Sequence, residues 1–272
     1  MDNLRSKKQV NRWLQCSEML QRYIKIVMKC LPWIGSHLLL PSLPNRCLLC
    51  HQSIDAPHSG VCPVCLSACL YRGPTCLGCG RNMSVLQAYC GQCQRTEPLR
   101  IIAPCSYHQG MGHWVAAMKY QGQFAAMSAL NLALLARLQA LENAGFLRMP
   151  QVIVPVPLHP HRLQERGFNQ AWVIAEELSR LAHLPLNDNA LVRVRHTRPQ
   201  AGLSGKLRRR NLANAFELVG EFPYQRIALV DDVVTTGTTV QEIAQLFTSR
   251  SIHVQVWCLA RAEAPELLDS TE

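Results

Sequence analysis

The stretch Ile227-Ala-Leu-Val-Asp-Asp-Val-Val-Thr-Thr-Gly-Thr-Thr239 decides the fold of this chain. An apolar strand ends in two acids, a short loop of threonines surrounds Gly237, and a helix then begins. Gly237 lets backbone N–H groups approach an anion, and the helix adds its positive amino-terminal end. Further hydroxyl donors come from Thr235, Thr236, Thr238 and Thr239. The stretch therefore predicts a cradle for a monophosphate group.

Two acids precede this loop. We expect Asp231 and Asp232 at the carboxyl end of the strand, where open α/β sheets bind their ligands. Acids beside a phosphate cradle can accept hydrogen bonds from ribose hydroxyls. An ordinary strand–turn–helix with a threonine cap is the alternative, but it gives two adjacent acids no purpose. The lysine and glycine spacing of a P-loop are missing, and the dinucleotide-binding fingerprint is absent too.

Strands and helices alternate around this stretch. The predicted strands cover 151–156, 226–230 and 252–259, and the predicted helices cover 113–141, 168–184 and 238–250. Alternation of elements of this length is typical of a parallel α/β sheet.

Two basic segments offer further anion contacts. Arg162 and Arg166 follow the strand at 151–156, and their forked donors match phosphate oxygens; a solvated, proline-stiffened loop is the alternative. Residues 193–210 carry seven lysines and arginines and no acid. This run is either a solvated face or a contact for pyrophosphate or a nucleic-acid backbone. It contains no aromatic residue, so base stacking is not indicated.

Residues 41–93 are rich in proline and poor in apolar side chains, and four CxxC pairs explain how they hold together. The pairs are Cys47/Cys50, Cys62/Cys65, Cys76/Cys79 and Cys90/Cys93. A structural zinc ion takes four ligands in a tetrahedron, so eight thiolates suit two zinc ions in closed, non-catalytic sites. Joining successive pairs is the simplest arrangement, and a crossed arrangement of the first pair with the third stays open. Redox chemistry would need one pair on an oxidoreductase scaffold.

Composition limits the remaining possibilities. The chain has 272 residues, 48% of them hydrophobic, which excludes wholesale disorder, and its net charge of +10 favours a polyanionic partner or a phosphorylated substrate. Residues 1–40 form a basic opening whose spacing permits an amphipathic helix. Lys25, Lys29 and Pro32 interrupt its most apolar part, so we predict neither a membrane span nor a signal peptide. We expect the chain in the cytoplasm, where thiols stay reduced.

Taken in order, the motifs resemble those of the ComF family of competence-associated proteins, with its GntX-like and ComFC-like members. The segments that carry the resemblance are the four CxxC pairs, Met118-Lys-Tyr120 with Gly122, VPVPL…RGFNQ within 154–170, RVRHTRPQAGLSGKLRRRNLANAF at 193–216, and LVDDVVTTGTT at 229–239. Together they span residues 41–262.

The resemblance implies an α/β, type I phosphoribosyltransferase-like fold with a parallel central sheet, preceded by a small Cys-rich double zinc ribbon. It implies four regions: a basic extension over 1–40, the ribbon over 41–100, the phosphoribosyltransferase-like domain over 101–265 and a tail over 266–272.

The same resemblance implies roles for individual residues toward phosphoribosyl pyrophosphate (PRPP). Asp231 and Asp232 would grip the ribose 2′- and 3′-hydroxyls, and Thr235 to Thr239 would hold the 5′-phosphate. The loop with Arg162 and Arg166 would face the pyrophosphate, and Lys119 would approach the ligand. Magnesium would be carried largely by pyrophosphate and ribose oxygens.

The resemblance also implies a role in DNA uptake and natural competence, and it leaves two functions open. One is a PRPP-dependent transferase, although no residue stands out as a general base for the acceptor. The other is a non-catalytic module that binds single-stranded DNA or docks on the uptake machinery, with a competence helicase as a candidate partner. Both could hold in one molecule.

Overall fold

A computed structural model of the chain describes residues 45–96, 98–108, 115, 126–194 and 215–262. The chain from Cys47 onward belongs to one compact unit, so the cysteine-rich segment and the sheet are parts of the same body. The predicted extension over 1–40, the residue Lys119, the basic stretch over 195–210 and the tail over 266–272 lie outside the described residues.

A parallel sheet forms the centre of this unit. The strands are β1 Arg100–Ile102, β2 Cys105–Ser106, β3 Val152–Pro155, β4 Leu191–Arg193, β5 Phe216–Leu218, β6 Arg226–Val234 and β7 His253–Arg261. The order across the central sheet is β1-β7-β6-β3, with β2 also on β7, and every pairing in it is parallel. The strands β4 and β5 form a separate antiparallel pair. The parallel central sheet confirms the predicted fold class.

The α-helices in the described part of the chain are α1 Pro63–Cys69, α2 Met127–Asn143, α3 Pro160–Arg166, α4 Gln170–Ala182 and α5 Thr238–Thr248. The helices α2 and α4 cover one face of the sheet, and α5 covers the other. Alternate residues of a strand point to opposite faces, so Ala228 joins the apolar cluster under α2 and α4, while Leu229 joins the cluster under α5. No helix within the described ranges is long and apolar enough to cross a membrane.

The strand that precedes the threonine loop is longer than the sequence predicts. It was expected to end at the two acids, but β6 continues through both of them to Val234. The reason is its neighbour: β7 runs on to Arg261 and pairs with Val233 and Val234. On its other side β6 loses its partner earlier, because β3 ends at Pro155 opposite Val230. The two acids therefore lie just beyond the point where β3 leaves the sheet.

Candidate anion site and metal centres

The turn at Gly237 has the backbone geometry of an anion cradle. Gly237 has φ +73°, in the left-handed region, and α5 begins at the next residue with no side chain capping it. The first turn of a helix directs N–H groups outward along the axis, where they lack intrahelical acceptors. A Cβ on Gly237 would meet nothing closer than 3.8 Å, so the positive φ, and not lack of space, is what requires glycine here.

The threonines divide into exposed and buried members. Thr235 and Thr236 are exposed, Thr239 is half-buried, and Thr238 is 6% exposed. The Oγ1 atoms of Thr236 and Thr238 lie 2.9 Å apart, so these two hydroxyls converge on one point beside the start of α5. The predicted hydroxyl donors thus surround the helix start, although Thr238 reaches solvent less than the sequence alone led us to expect.

The two acids differ in exposure. Asp231 is half-buried, whereas Asp232 is only 4% exposed. Each carboxylate accepts the N–H of the following residue, Asp231 from Asp232 at 2.9 Å and Asp232 from Val233 at 2.8 Å. These bonds hold both side chains against the strand, and Asp231 is the more accessible of the two.

Asp231, Arg162 and Arg166 all lie within electrostatic range of Arg193. Burial lowers the pKa of Arg193 to about 10; the positive charges of Arg162 and Arg166 also lower it, and the negative charge of Asp231 opposes them. The guanidinium of Arg193 lies 5.4 Å from the centre of the Phe216 ring, which fixes its position. The positive charges of Arg162 and Arg166 disfavour the charged form of Arg193, and an anion beside Arg193 would offset that effect.

Sequence reasoning named Arg162 and Arg166 but missed Arg193 as a member of this site. Arg193 was counted only within the basic run over 193–210, yet it ends β4 and pairs with Phe216 on β5. The position at the end of a hairpin strand is the signal that could have found it. Asn169, in contrast, is a local structural residue: its Oδ1 accepts the N–H of Ala171 at the start of α4, and its Nδ2 donates to Val156.

The eight predicted cysteine ligands form two groups, which settles the pairing. Successive pairs combine, and within each group all ligand atoms lie within 4.8 Å of one another: Cys47, Cys50, Cys62 and Cys65 in the first, and Cys76, Cys79, Cys90 and Cys93 in the second. Sulfurs at the corners of a zinc tetrahedron are about 3.8 Å apart, since each lies about 2.3 Å from the metal. The Sγ–Sγ distances are 3.9 Å for Cys50 and Cys62 and 3.7 Å for Cys79 and Cys90. The donor set therefore fits two structural zinc ions.

Backbone N–H groups prepare these thiols for a cation. Burial raises the pKa of Cys47, but the N–H groups of Cys50, Cys62 and Leu49 outweigh it and bring the value to about 6. The fourth thiol of the same group behaves oppositely, because the neighbouring sulfurs raise the pKa of Cys65. Four thiolates cannot coexist without a positive charge between them, and a divalent metal supplies it.

Comparison with known proteins supports the double zinc ribbon and shows the family of the chain. Residues 37–94 match the family model described as a double zinc ribbon domain. "Competence protein F" of Haemophilus influenzae is 37% identical over 223 residues, which cover 80% of this chain and 97% of that protein. The chain belongs to the ComF family. A second relative with the same extent is "DNA utilization protein YhgH" of Escherichia coli K12, 38% identical over 226 residues, or 81% of this chain and 98% of that protein.

The solved structures similar to this ComF-family chain are more distant. Orotate phosphoribosyltransferase from Aeropyrum pernix is 21% identical and covers 44% of this chain and 54% of its own, with a TM-score of 0.26. At a TM-score this low, the fold assignment depends on the strand order and the Gly237 turn of the ComF-family chain itself.

Arg261 joins the second metal centre to the sheet. It is the last residue of β7 and is 7% exposed. Its guanidinium donates to the carbonyl oxygens of Leu77 at 3.1 Å, Ile101 at 3.4 Å and Gly78. Because Leu77 and Gly78 lie between the ligands of one CxxC pair, the zinc ribbon of this ComF-family chain is anchored at the strand end nearest the anion site.

Proposed function

We propose that this ComF-family chain binds PRPP with Mg²⁺ at the carboxyl end of β6 and acts in the uptake or use of DNA. The observation that carries the proposal is the left-handed Gly237 turn at the uncapped start of α5, directly after two acids. Helix starts of this kind bind phosphate groups through backbone N–H groups and the helix dipole.

Each part of PRPP has a counterpart in the chain. The 5′-phosphate would lie at the start of α5, held by the N–H groups and hydroxyls from Thr235 to Thr239. The ribose hydroxyls would be accepted by Asp231 and Asp232. The pyrophosphate would lie toward Arg162 and Arg166, and Arg193 joins them because its burial and charge environment favour an anion. Lys119 stays part of the proposal as a further ligand contact.

Magnesium enters this proposal with the ligand. Mg²⁺ keeps several waters and is held mainly by substrate phosphates with one or two carboxylates. Pyrophosphate and ribose oxygens would carry it, and no dense acidic site is needed. The two zinc ions would have a structural role, because each group offers four sulfurs and no open position.

The role in DNA uptake is supported by the names of the two relatives, a competence protein and a DNA utilization protein. We place this activity in the cytoplasm, where the metal-binding thiols stay reduced. Single-stranded DNA and a competence helicase are the partners proposed for it. The alternative is a non-catalytic module that binds DNA or a partner. DNA binding through several phosphates would weaken steeply with salt, whereas PRPP binding would depend on Mg²⁺.

Calorimetric titration of the full chain with PRPP and Mg²⁺ tests the site. Replacing both acids, Asp231→Asn with Asp232→Asn, should weaken PRPP binding at least roughly tenfold, since two charge-assisted bonds are lost. The matched control is Glu221→Gln, an exposed acid that precedes the amino end of β6. Equal affinity of the double variant and the control would refute the assigned site. Pyrophosphate release on addition of nucleobase acceptors would separate transfer from binding alone.

A further inference from the structure

A cavity begins at the amino-terminal edge of the sheet, opposite the strand end that precedes the Gly237 turn. It has a volume of about 670 Å³ and follows α5 from Thr248 to Gln241. At its charged end are the first residues of three strands, Arg100, Arg226 and His253, which parallel pairing brings to one edge. The strand β6 has nine residues, so Arg226 is about 26 Å from the strand end that precedes the Gly237 turn.

The charged end carries arginines without counter-charges. Arg100, Arg148 and Arg226 line the cavity, and the described residues that line it include no aspartate or glutamate. Within the described part of the chain, no carboxylate forms an ion pair with any of these three guanidinium groups. A cavity with three such charges has a positive potential that attracts anions.

Two of these arginines are held in place. The Nη1 of Arg100 donates to the carbonyl of Phe146 at 3.0 Å, and its Nε donates to the Tyr89 hydroxyl at 3.3 Å. Arg226 donates from Nε to the carbonyl of Met149 at 3.4 Å. A guanidinium has five N–H donors, so both side chains keep donors for a ligand while their positions are fixed. Such preorganisation lowers the entropic cost of binding.

Backbone capping reduces the negative potential at the nearby carboxyl end of α5. Helix ends carry negative charge on carbonyl groups that lack partners. At this end the N–H groups of the following turn bond these carbonyls: Ser249 to Gln245 at 3.0 Å, Ile252 to Phe247 at 3.1 Å and Ser251 to Thr248 at 2.9 Å. The carbonyls are satisfied within the turn.

The rest of the cavity is suited to a flat ring. Apolar side chains make up much of the wall, with the aromatic ring of Tyr89 and exposed amides on α5 beside them: Pro98, Leu99, Leu147, Ala244, Ile252, and the amides Gln241 and Gln245. Small-molecule sites have volumes of about 300–1,000 Å³ and combine apolar walls with a few polar groups. An apolar wall with amides and an arginine cluster at one end matches a base joined to a phosphate.

We propose that this cavity is a second binding site, for a nucleotide whose phosphate contacts Arg100, Arg148 and Arg226 and whose base lies along the apolar wall. The phosphate and base could belong to a free mononucleotide or to the 5′-phosphorylated end of a single strand. The inference does not depend on the proposed PRPP site: Arg226 lies far from it along β6, and only the opposite wall at Gln241 comes near the Gly237 turn, with the Gln241 Nε2 3.8 Å from where a Cβ on Gly237 would be.

Titration of the full, zinc-loaded chain tests this site, with deoxyadenosine 5′-monophosphate as the probe. Arg148→Gln should weaken binding roughly tenfold, because a charged hydrogen bond to phosphate is lost. Because Arg148 is exposed, we expect the variant protein to keep its fold. Arg72→Gln is the control, an exposed arginine that changes the net charge equally and does not line the cavity. Equal weakening by both variants would overturn the proposal.

Three further arms define the ligand. Deoxyadenosine without phosphate, and inorganic phosphate without a base, should each bind much more weakly than the nucleotide. If either binds as tightly, the assigned combination of base and phosphate is wrong. If a 5′-phosphorylated oligothymidine binds and the mononucleotide does not, the ligand is the end of a single strand. If the mononucleotide binds and the oligothymidine does not, the ligand is a free nucleotide. Asp231→Asn should leave binding of the nucleotide unchanged. Loss of nucleotide binding in this variant would refute a separate site.

Discussion

Replacing Arg261 by alanine should destabilise the molecule by separating the second metal centre from the sheet. The guanidinium donates to three carbonyl oxygens, those of Leu77, Gly78 and Ile101, from a position that is 7% exposed. Leu77 and Gly78 form the turn between Cys76 and Cys79. The same side chain also fills the space beside Gly80, where a Cβ would lie only 3.2 Å from the Arg261 Nε.

The magnitude follows from what each carbonyl loses. Leu77 also accepts the N–H of Ile101 at 2.9 Å, so it keeps a partner in the variant. Gly78 loses the charged donor, and a hydrogen bond to a charged group contributes about 1.5–3 kcal/mol. The emptied space beside Gly80 adds a cavity cost, since the surroundings relax only in part. We expect a loss of about 3–5 kcal/mol in the free energy of unfolding, a large share of the roughly 5–15 kcal/mol typical of a domain.

Urea unfolding at fixed zinc concentration measures this loss, with zinc per chain determined on the same samples. Arg261→Lys keeps the charge but replaces the two nitrogens that Arg261 uses by one, so an intermediate loss is expected. Arg250→Ala serves as a control because Arg250 is exposed and surface changes stay within about 0.5 kcal/mol. An Arg261→Ala variant as stable as the Arg250 control would show that these carbonyl contacts do not hold ribbon and sheet together.

Three more changes test the site and the metal centres. Gly237→Val should abolish PRPP binding in calorimetry with the circular dichroism spectrum retained, because a β-branched residue is strained at φ +73°; unchanged affinity would contradict the cradle. Gly78→Ala puts a Cβ 2.5 Å from Pro98 and 2.9 Å from the Cys93 Sγ, so zinc per chain should fall from two toward one; two retained ions would exclude this clash. Arg193→Met should weaken PRPP binding roughly tenfold, since it removes charge beside the ligand while keeping apolar contact; no change would remove Arg193 from the site.

Local patterns made part of this structure predictable. The turn at Gly237 could be predicted from thirteen consecutive residues, because a strand, a glycine turn and a helix start each depend on residues that are close in sequence. The CxxC pairs are equally local. The choice between successive and crossed pairing was not predictable, since it depends on which turns meet in space, and the 3.9 Å between Cys50 and Cys62 answers it.

Features that depend on residues distant in the sequence could not be predicted from it. The strand β6 extends past the acids because β7 pairs with Val233 and Val234, and nothing near those residues reveals the length of β7. Arg193 comes within electrostatic range of Arg162, Arg166 and Asp231 through the hairpin of β4 and β5, and the sequence shows it only as one of seven basic residues in a run. The cavity at the amino-terminal edge of the sheet is lined by Arg100 and Arg226. These residues reach the same edge only because their strands, β1 and β6, both pair in parallel with β7.

The shared core explains why the ribbon and the sheet should respond together. Apolar residues of the ribbon are too few for a core of their own, and Val61 and Leu77 instead join the cluster that contains Trp257 of β7. Leu77 in turn accepts the N–H of Ile101, whose Cδ1 lies 3.8 Å from where a Cβ on Gly237 would be. The turn between Cys76 and Cys79 is therefore two contacts away from the Gly237 turn. Metal binding that orders this turn adds to the stability of the sheet as well, because both bury the same apolar surface.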